Sequence, residues 1–466
     1  MKRRPSEIEN ALQQLDRAHL RRERRTIDGF VEAGSRVTTI VDGRHLVDFS
    51  SNDYLGLARH PAVAAAMSAC AERCGSGSGA SHLVTGHGAE HTRLEEELAA
   101  FTGRERVLLF STGYMANLAV ITTLASRGET VLLDRLSHAS LIDGGLLSGA
   151  RFKRFTHADA RAAESALAAH AETASIVATD GVFSMDGDVG PLASLARISR
   201  SHDAWLVVDD AHGLGVIGAT GRGAVEYFGL DAEAVPVLVG TLGKAFGSFG
   251  AFVAGSAELI ELLMQKARSY IYTTALPQPV AAASRKALEI AQRETWRRER
   301  VLALAARFRS AAEQMDVPLM GAPTTAPVTA TAACLAAMDH NGISVAHATA
   351  KPMDNAAAGS PCAAMTAGAT AASRVASSPA AAESARVGAQ PLTPIQPVLL
   401  GSSEAALRAQ RELFAAGFCV VAIRPPTVPQ GSARLRVTLS AAHTEAQVDE
   451  LVETLRRVCA AQDTVS

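Results

Sequence analysis

Three groups of residues in this chain have types and spacings that could do chemistry. Lys244 sits between Gly243 and Ala245, with Phe246 following and apolar runs on either side. Most lysines are solvated, but these neighbours leave an exposed charge little to do. A desolvated lysine has a lowered pKa and can form a Schiff base; both readings stand on this motif alone. Asp209 and His212 lie three residues apart, directly after the apolar run Trp205–Val208. Asp180, Ser184, Asp186 and Asp188 follow the run Ile176–Thr179 in the same way.

Asp209 with His212 suits a ligand carrying both a cationic nitrogen and an anionic oxygen, and pyridoxal phosphate (PLP) has that pair. The plainer alternative is a helix cap beside a satisfied histidine. Ser111, Thr112, Gly113, Tyr114 and Asn117 stand between a strand pattern and a helix pattern. Backbone N–H groups at such a helix start bind phosphate, and Gly113 permits close approach; a simple cap is again the alternative. His138, within Ser137–Ser140 after another apolar run, could stack on a pyridine ring or fill the core. The segment around Lys244 is not a Walker A loop, because Ala245 leaves no hydroxyl in the Mg²⁺-binding position. Gly75, Gly77 and Gly79 also lack dinucleotide-binding spacing.

Positioning these residues requires short buried strands. The runs Val107–Phe110, Thr130–Leu133, Ile176–Thr179, Trp205–Val208, Val237–Val239 and Ala251–Ala254 alternate with helical stretches such as His91–Phe101 and Pro191–His202. That pattern predicts an α/β fold with a mostly parallel sheet, and ligands in such folds sit beyond the carboxyl ends of strands. Upstream, residues 6–25 read as an Arg-rich helix, followed by β signals at Val37–Val41 and Leu46–Phe49 around an Asp42-Gly43 turn. Downstream, Gly417–Ile423 and Leu435–Leu439 read as strands. A final helix begins at a Thr444/Gln447 capping box, with Val448, Leu451, Val452 and Leu455 on one face.

Composition narrows the class. Of 466 residues, 48% are hydrophobic and 20% charged, with 45 basic against 47 acidic, so no basic field awaits nucleic acid or anionic membrane. Six cysteines in a chain this long form no disulfide framework. Cys70 and Cys74, four apart, read as buried small residues, and without a second ligand pair no metal is expected. No run of 18 apolar residues exists, and the Arg-rich start carries acidic residues with no apolar segment after it. A cytoplasmic, soluble protein is therefore expected. Residues 321–390 hold 25 Ala and no Phe, Tyr or Trp, with three acidic residues, three basic residues and five prolines. Such a segment buries too little to offset its ordering entropy, and it reads as a mostly disordered insertion. The expected organisation is an N-terminal helix and β segment over 1–50, a large PLP-binding domain over 51–285, and a small C-terminal α/β domain over 286–466.

Taken together, Asn52–Gly56, Ser137–Ser140, Val182–Gly187, Asp209–Gly213 and Thr241–Lys244 resemble the α-oxoamine synthases, in the same order. These are fold-type I PLP-dependent transferases that join an amino acid to an acyl thioester with loss of CO₂. The resemblance covers about 396 residues, everything but the Ala-rich stretch. Ile423–Pro429, Ala433–Arg436 and Ser78–Gly86 are most similar to the branch that condenses L-alanine with pimeloyl-CoA or pimeloyl-acyl carrier protein in biotin biosynthesis. A glycine-using relative, such as a 2-amino-3-ketobutyrate CoA ligase, is the alternative. Asp180 departs from that branch, which often has Glu there.

The resemblance implies a set of roles. Lys244 holds PLP and removes the Cα proton of L-alanine, while Asp209 keeps the ring nitrogen protonated. His138 stacks on the ring, and Ser184 and His212 tune its phenolate oxygen. Gly113 and Tyr114 supply backbone groups near the cofactor and Thr241 contacts the phosphate, while Thr273 or Thr274, Thr274 preferred, reaches the phosphate from a neighbouring subunit of a homodimer with shared active sites. Arg436 clamps the alanine carboxylate; Asn52 and Thr427 lie on the substrate side. The distal carboxylate of the acyl chain falls to Arg21 or Arg22, with Arg21 preferred, and Arg424 also argues for a dicarboxylic chain.

Overall fold

The computed structural model describes residues 5–33, 36–321 and 390–463. Its central sheet has seven strands: β4 (Arg106–Phe110), β5 (Thr130–Asp134), β6 (Arg151–Phe155), β7 (Ala174–Asp180), β8 (Trp205–Asp209), β9 (Val237–Thr241) and β10 (Ala251–Gly255). Their order is β4-β10-β9-β8-β7-β5-β6. Neighbours from β9 to β6 run parallel, and β10 alone is antiparallel to both its neighbours. Apart from the edge strand β6, which is Arg-Phe-Lys-Arg-Phe and mostly exposed, these strands are near-continuous apolar runs because both faces are covered. Successive side chains point to opposite faces: Leu206 and Val208 of β8 join one core cluster, while Val207 joins the other. Fully burying a leucine or valine stabilises by roughly 1.5–3 kcal/mol. Truncating Leu132 to Ala would cost about 2–5 kcal/mol, since a cavity remains.

Helix Gly113–Leu124 lies against helix Ala139–Ser148, both on the Val207 side. Their approach depends on Gly144, where an added Cβ would stand 2.9 Å from Cβ of Ile121. The chain passes from β5 out to β6 and back to β7 on the other side of β5. The carboxyl ends of β5, β7, β8 and β9 thus open onto one crevice, the place where such sheets bind ligands.

Two smaller sheets complete this compact unit, to which the described residues from 5 to 321 and from 391 to 463 belong. One has the order β1-β2-β3-β12: β1 (Ile27–Ala33), β2 (Arg36–Val41), β3 (Arg44–Asp48) and β12 (Phe418–Cys419), so chain from both halves shares a sheet. The other is antiparallel, β11-β14-β13, from β11 (Ile395–Gly401), β13 (Val421–Ile423) and β14 (Ala433–Thr438). All six residues of β14 are buried, two arginines included. The Asp42-Gly43 turn has positive φ at both residues, 49° and 73°, as a tight hairpin requires. The capping box forms: Thr444 N–H donates to Gln447 Oε1 at 2.8 Å and Gln447 N–H to Thr444 Oγ1 at 3.2 Å.

Three expectations need correcting. The first helix spans Pro5–Arg17 and does not reach residue 25. His19 takes a left-handed φ of 55°, and Arg21, Arg24 and Arg25 would repel one another at helical spacing. The strand Ile27–Ala33 was not foreseen, and Gly417–Ile423 is split into two short strands. Cys70 is buried, but Cys74, at the end of its helix, is exposed. Apart from residues 321 and 390, the Ala-rich stretch lies outside the described residues. No helix among the described residues is long and apolar enough to cross a membrane.

Candidate active site

Lys244 follows β9 and is half-buried, with Nζ 2.8 Å from Nε2 of His212. Burial pushes its pKa down to about 8, although Asp209 and Asp180 pull the other way. A fraction of the amine is therefore neutral near physiological pH, as a nucleophile or base requires. His212 lies beyond the end of β8, and its Nδ1 stands 2.7 Å from the hydroxyl of Tyr54. Burial, with Lys244 and Arg436 nearby, holds this imidazole neutral, well below its usual range.

Asp209 ends β8, and a second buried network holds it. Asn117 Nδ2 donates to Asp209 Oδ2 at 2.6 Å and to Ser140 Oγ at 2.8 Å, and the Ala211 N–H donates to Asp209 Oδ1 at 3.1 Å. Ser140 Oγ is 2.7 Å from Nδ1 of His138, whose own N–H donates to Asp180 Oδ2 at 3.0 Å. Burial and the charge of Asp209 push the Asp180 carboxyl well above the usual carboxylate range. One connected set of hydrogen bonds thus fixes both the carboxylate and the ring-stacking candidate.

Arg436 reaches in from β14. Its Nε donates to the Ser184 carbonyl at 2.6 Å and its NH1 to Asn52 Oδ1 at 3.0 Å. Asn52, His138, Ser184, His212, Lys244, Thr427 and Arg436 line one cleft of about 1560 Å³. A second hollow shares Ser50, Val421, Ile423 and Thr427 with it and continues to Arg21, Arg22 and Arg424. There Arg22 NH2 donates to Thr427 Oγ1 at 3.3 Å, whereas Arg21 is turned to Asp16 at 2.8 Å. Of the two, Arg22 is the one in contact with a residue of the cleft. Arg424 donates to the carbonyls of His19 and Arg21.

The remaining candidates fall at the edges. Gly113 and Tyr114 open helix Gly113–Leu124, with Thr112 as its cap accepting from the Met115 N–H. No atom lies within 4 Å of the point where a Cβ on Gly113 would stand, so an anion can approach this helix start. Thr241 Oγ1 donates to the Gly250 carbonyl at 3.0 Å. Thr274 does not join its own chain's cleft; it is exposed and bridges to Ser81. A helix start open at Gly113, a buried carboxylate and a partly neutral lysine fit the phosphate, ring nitrogen and aldehyde of PLP.

Sequence reasoning passed over Tyr54, Ser140 and the role of Asn117, although each lay inside a quoted motif. Another signal went unused: His82, inside the quoted Ser78–Gly86 stretch, clusters with His87 and His91 away from the cleft. Both nitrogens of His91 are engaged, Nδ1 by the Gly88 N–H at 2.9 Å and Nε2 by the Leu276 carbonyl at 2.6 Å. That leaves His91 no free lone pair for a metal.

The fold and the cleft define an enzyme of fold-type I. The family described as aminotransferase class I and II matches residues 44–351 and 372–455. An 8-amino-7-oxononanoate synthase of Methylococcus capsulatus is 50% identical over 91% of this chain and 92% of its own length. One of Cellvibrio japonicus is 49% identical over 90% and 88%. A PLP-bound serine palmitoyltransferase from S. paucimobilis superposes with a TM-score of 0.78 at 26% identity, covering 98% of this chain and 97% of that one. An 8-amino-7-oxononanoate synthase from Francisella tularensis gives 0.66 at 27% identity, covering 90% and 98%. Within aminotransferase class I and II, this chain belongs to the family of the 8-amino-7-oxononanoate synthases.

Proposed function

We propose that this chain is a PLP-dependent acyltransferase of biotin biosynthesis, condensing L-alanine with a pimeloyl thioester to give 8-amino-7-oxononanoate, CO₂ and free thiol. One observation carries the substrate reading: the hollow from Lys244 to Arg22 has a cation at each end and Val421 and Ile423 between. That suits an amino-acid carboxylate at Arg436 and a chain ending in a second carboxylate at Arg22. When bound, PLP supplies the electron sink for the pairs left at Cα by proton loss and decarboxylation.

The chain's residues do the rest. Lys244 holds the cofactor and, once displaced from it, takes the Cα proton of alanine with its neutral amine. Arg436 orients the substrate by a two-pronged grip on the carboxylate, and Asn52 steadies that guanidinium. Asp209, fixed by Asn117, keeps a proton on the ring nitrogen, and His138 lies on the ring face. His212 and Ser184 serve the phenolate oxygen, while Gly113, Tyr114 and Thr241 serve the phosphate. Thr427 flanks the acyl chain, whose far carboxylate meets Arg22 in preference to Arg21.

The chain acts as a homodimer in this reading. Leu83, Val84 and Tyr272 are exposed apolar side chains close in sequence to the paired Ser81 and Thr274. A second copy covering them brings Thr274 to its phosphate. Holoprotein incubated with L-alanine, glycine or L-serine and either pimeloyl-CoA or acetyl-CoA, with products identified by mass, tests the proposal. 8-Amino-7-oxononanoate is expected from alanine and pimeloyl-CoA. Turnover of glycine with acetyl-CoA, but not of alanine with pimeloyl-CoA, overturns it.

A further inference from the structure

We propose that His157 is a positioning residue: it clamps the loop that aims Arg436, and so sets the grip on the amino-acid substrate. The proposal rests on the reading of Arg436 as the carboxylate clamp. His157 follows β6 and bridges two carboxylates, with Nδ1 2.9 Å from Asp134 Oδ1 and Nε2 2.8 Å from Asp188 Oδ2. Asp134 is the immovable side. It ends β5, is fully buried, and also accepts the N–H groups of Leu136 and Ala158. The imidazole edge packs on Phe183, with ring centroids 4.4 Å apart and planes at 90°.

Asp188 is the side that transmits. It closes a turn in which the Phe183 N–H donates to the Asp188 carbonyl and the Gly187 N–H to the Phe183 carbonyl, both at 2.9 Å. This turn meets the C-terminal part of the chain at three points, two of them on β14 and one just before β11. The Ser184 carbonyl receives Arg436 Nε, the Asp186 carboxylate pairs with Arg434, and the Gly187 carbonyl receives the Thr393 hydroxyl at 2.7 Å. Arg434 and Arg436 are two apart on β14 and so share a face. There is little slack at the junction, since a Cβ on Gly187 would stand 2.4 Å from the Ile395 carbonyl oxygen. His157 therefore ties the end of β5 to the loop that receives both arginines.

The charge state suits a clamp. Burial disfavours the imidazolium, yet hydrogen bonds to Asp134 and Asp188 push its pKa up to about 10. Both nitrogens then carry protons and donate, and no lone pair remains for a metal. His157 and Arg436 line the same cleft, but His157 acts through the loop, not by touching substrate.

The test is titration of the PLP-loaded protein with L-alanine, read from cofactor absorbance, for the unmodified protein, His157→Gln, Asp188→Asn and the double variant. Each single variant should weaken alanine binding about tenfold. Cofactor content should stay unchanged and kcat at saturating alanine within about threefold. The double variant should bind no more weakly than the weaker single one, because both remove the same tie. A lowered melting temperature with unchanged alanine affinity, effects that multiply in the double variant, or a fall in kcat alone would each overturn the clamp. Should His157→Gln fail to fold, the milder Asp188→Asn decides alone. If the unmodified protein gives no response to alanine, the substrate reading fails, and the same titration with glycine or L-serine still reads the clamp.

Discussion

The two ends of the hollow are built differently. At the Lys244 end, a buried Asp209 and a half-buried Lys244 sit at or just past strand ends, held at 2.6 and 2.8 Å by Asn117 and His212. At the far end, Arg22 lies on irregular chain after the first helix, is exposed, and touches Thr427 at 3.3 Å. Arg424 there holds backbone carbonyls of the same arm. Catalytic electrostatics need fixed dipoles in a water-poor place, which only packed strands supply. Holding the end of a long chain needs reach, and one well-placed cation suffices.

Substitutions should break this contrast in graded fashion. Lys244→Ala should lower thiol release about 10⁴-fold or more, because it removes both the cofactor's attachment and the base. Retention of the protein-bound cofactor absorbance would mean that another amine does this work. Arg436→Lys should come next, raising KM for alanine by about 30–100-fold, since a point charge cannot reproduce two parallel bonds. Its cofactor absorbance should be unchanged. An effect on the acyl donor's KM alone would move Arg436 to the wrong end of the hollow.

Arg22→Ala should raise KM for the pimeloyl donor about tenfold with kcat unaltered. Arg21→Ala, whose partner is the exposed Asp16, should stay within about twofold. Equal effects in steady-state kinetics would erase the distinction that the geometry draws between the two.

The packed body of the fold should also carry a pH signature that the exposed arm lacks. His443 donates to the Asp48 carbonyl at 2.9 Å, joining the C-terminal part to β3, and burial lowers its pKa to about 4. The unfolded chain, with an ordinary value near 6.5, binds more protons between those pH values. The contribution is thus complete above about pH 6.5 and is lost as pH falls toward 4, on the order of 2–3 kcal/mol. Urea midpoints for unmodified protein and His443→Asn at pH 6.5 and 4.5 check this. The difference between the two proteins isolates His443, because Glu95, raised by burial to about 7, titrates in the opposite sense. A gap that does not narrow on acidification would rule the mechanism out.

Much of the scaffold was legible because both faces of each central strand are covered. Runs such as Thr130–Leu133 and Trp205–Val208 are then apolar without a break, and the polar residues that follow mark strand ends. Lys244, Asp209 and His212 stood out for that reason. The N-terminal arm was misread because arginines fit a polar helix face in composition; their mutual repulsion enters only when spacing is considered. Tyr54, Asn117 and Ser140 were invisible as partners, since each meets its neighbour across 23 to 158 residues of chain. His157 gave no signal at all, because the strand before it, Arg-Phe-Lys-Arg-Phe, is an exposed edge strand and not an apolar run.

The sequence by itself determined the α/β class, the strand-end residues able to handle PLP, and the order of the motifs, because patterning and local chemistry are properties of neighbours in the chain. Only the tertiary structure decided that Asn117 holds Asp209, that Arg22 and not Arg21 faces Thr427, and that His157 joins the end of β5 to the loop receiving Arg436. Those are matters of hydrogen-bond direction across a few ångströms, and direction exists only once distant strands have been packed together.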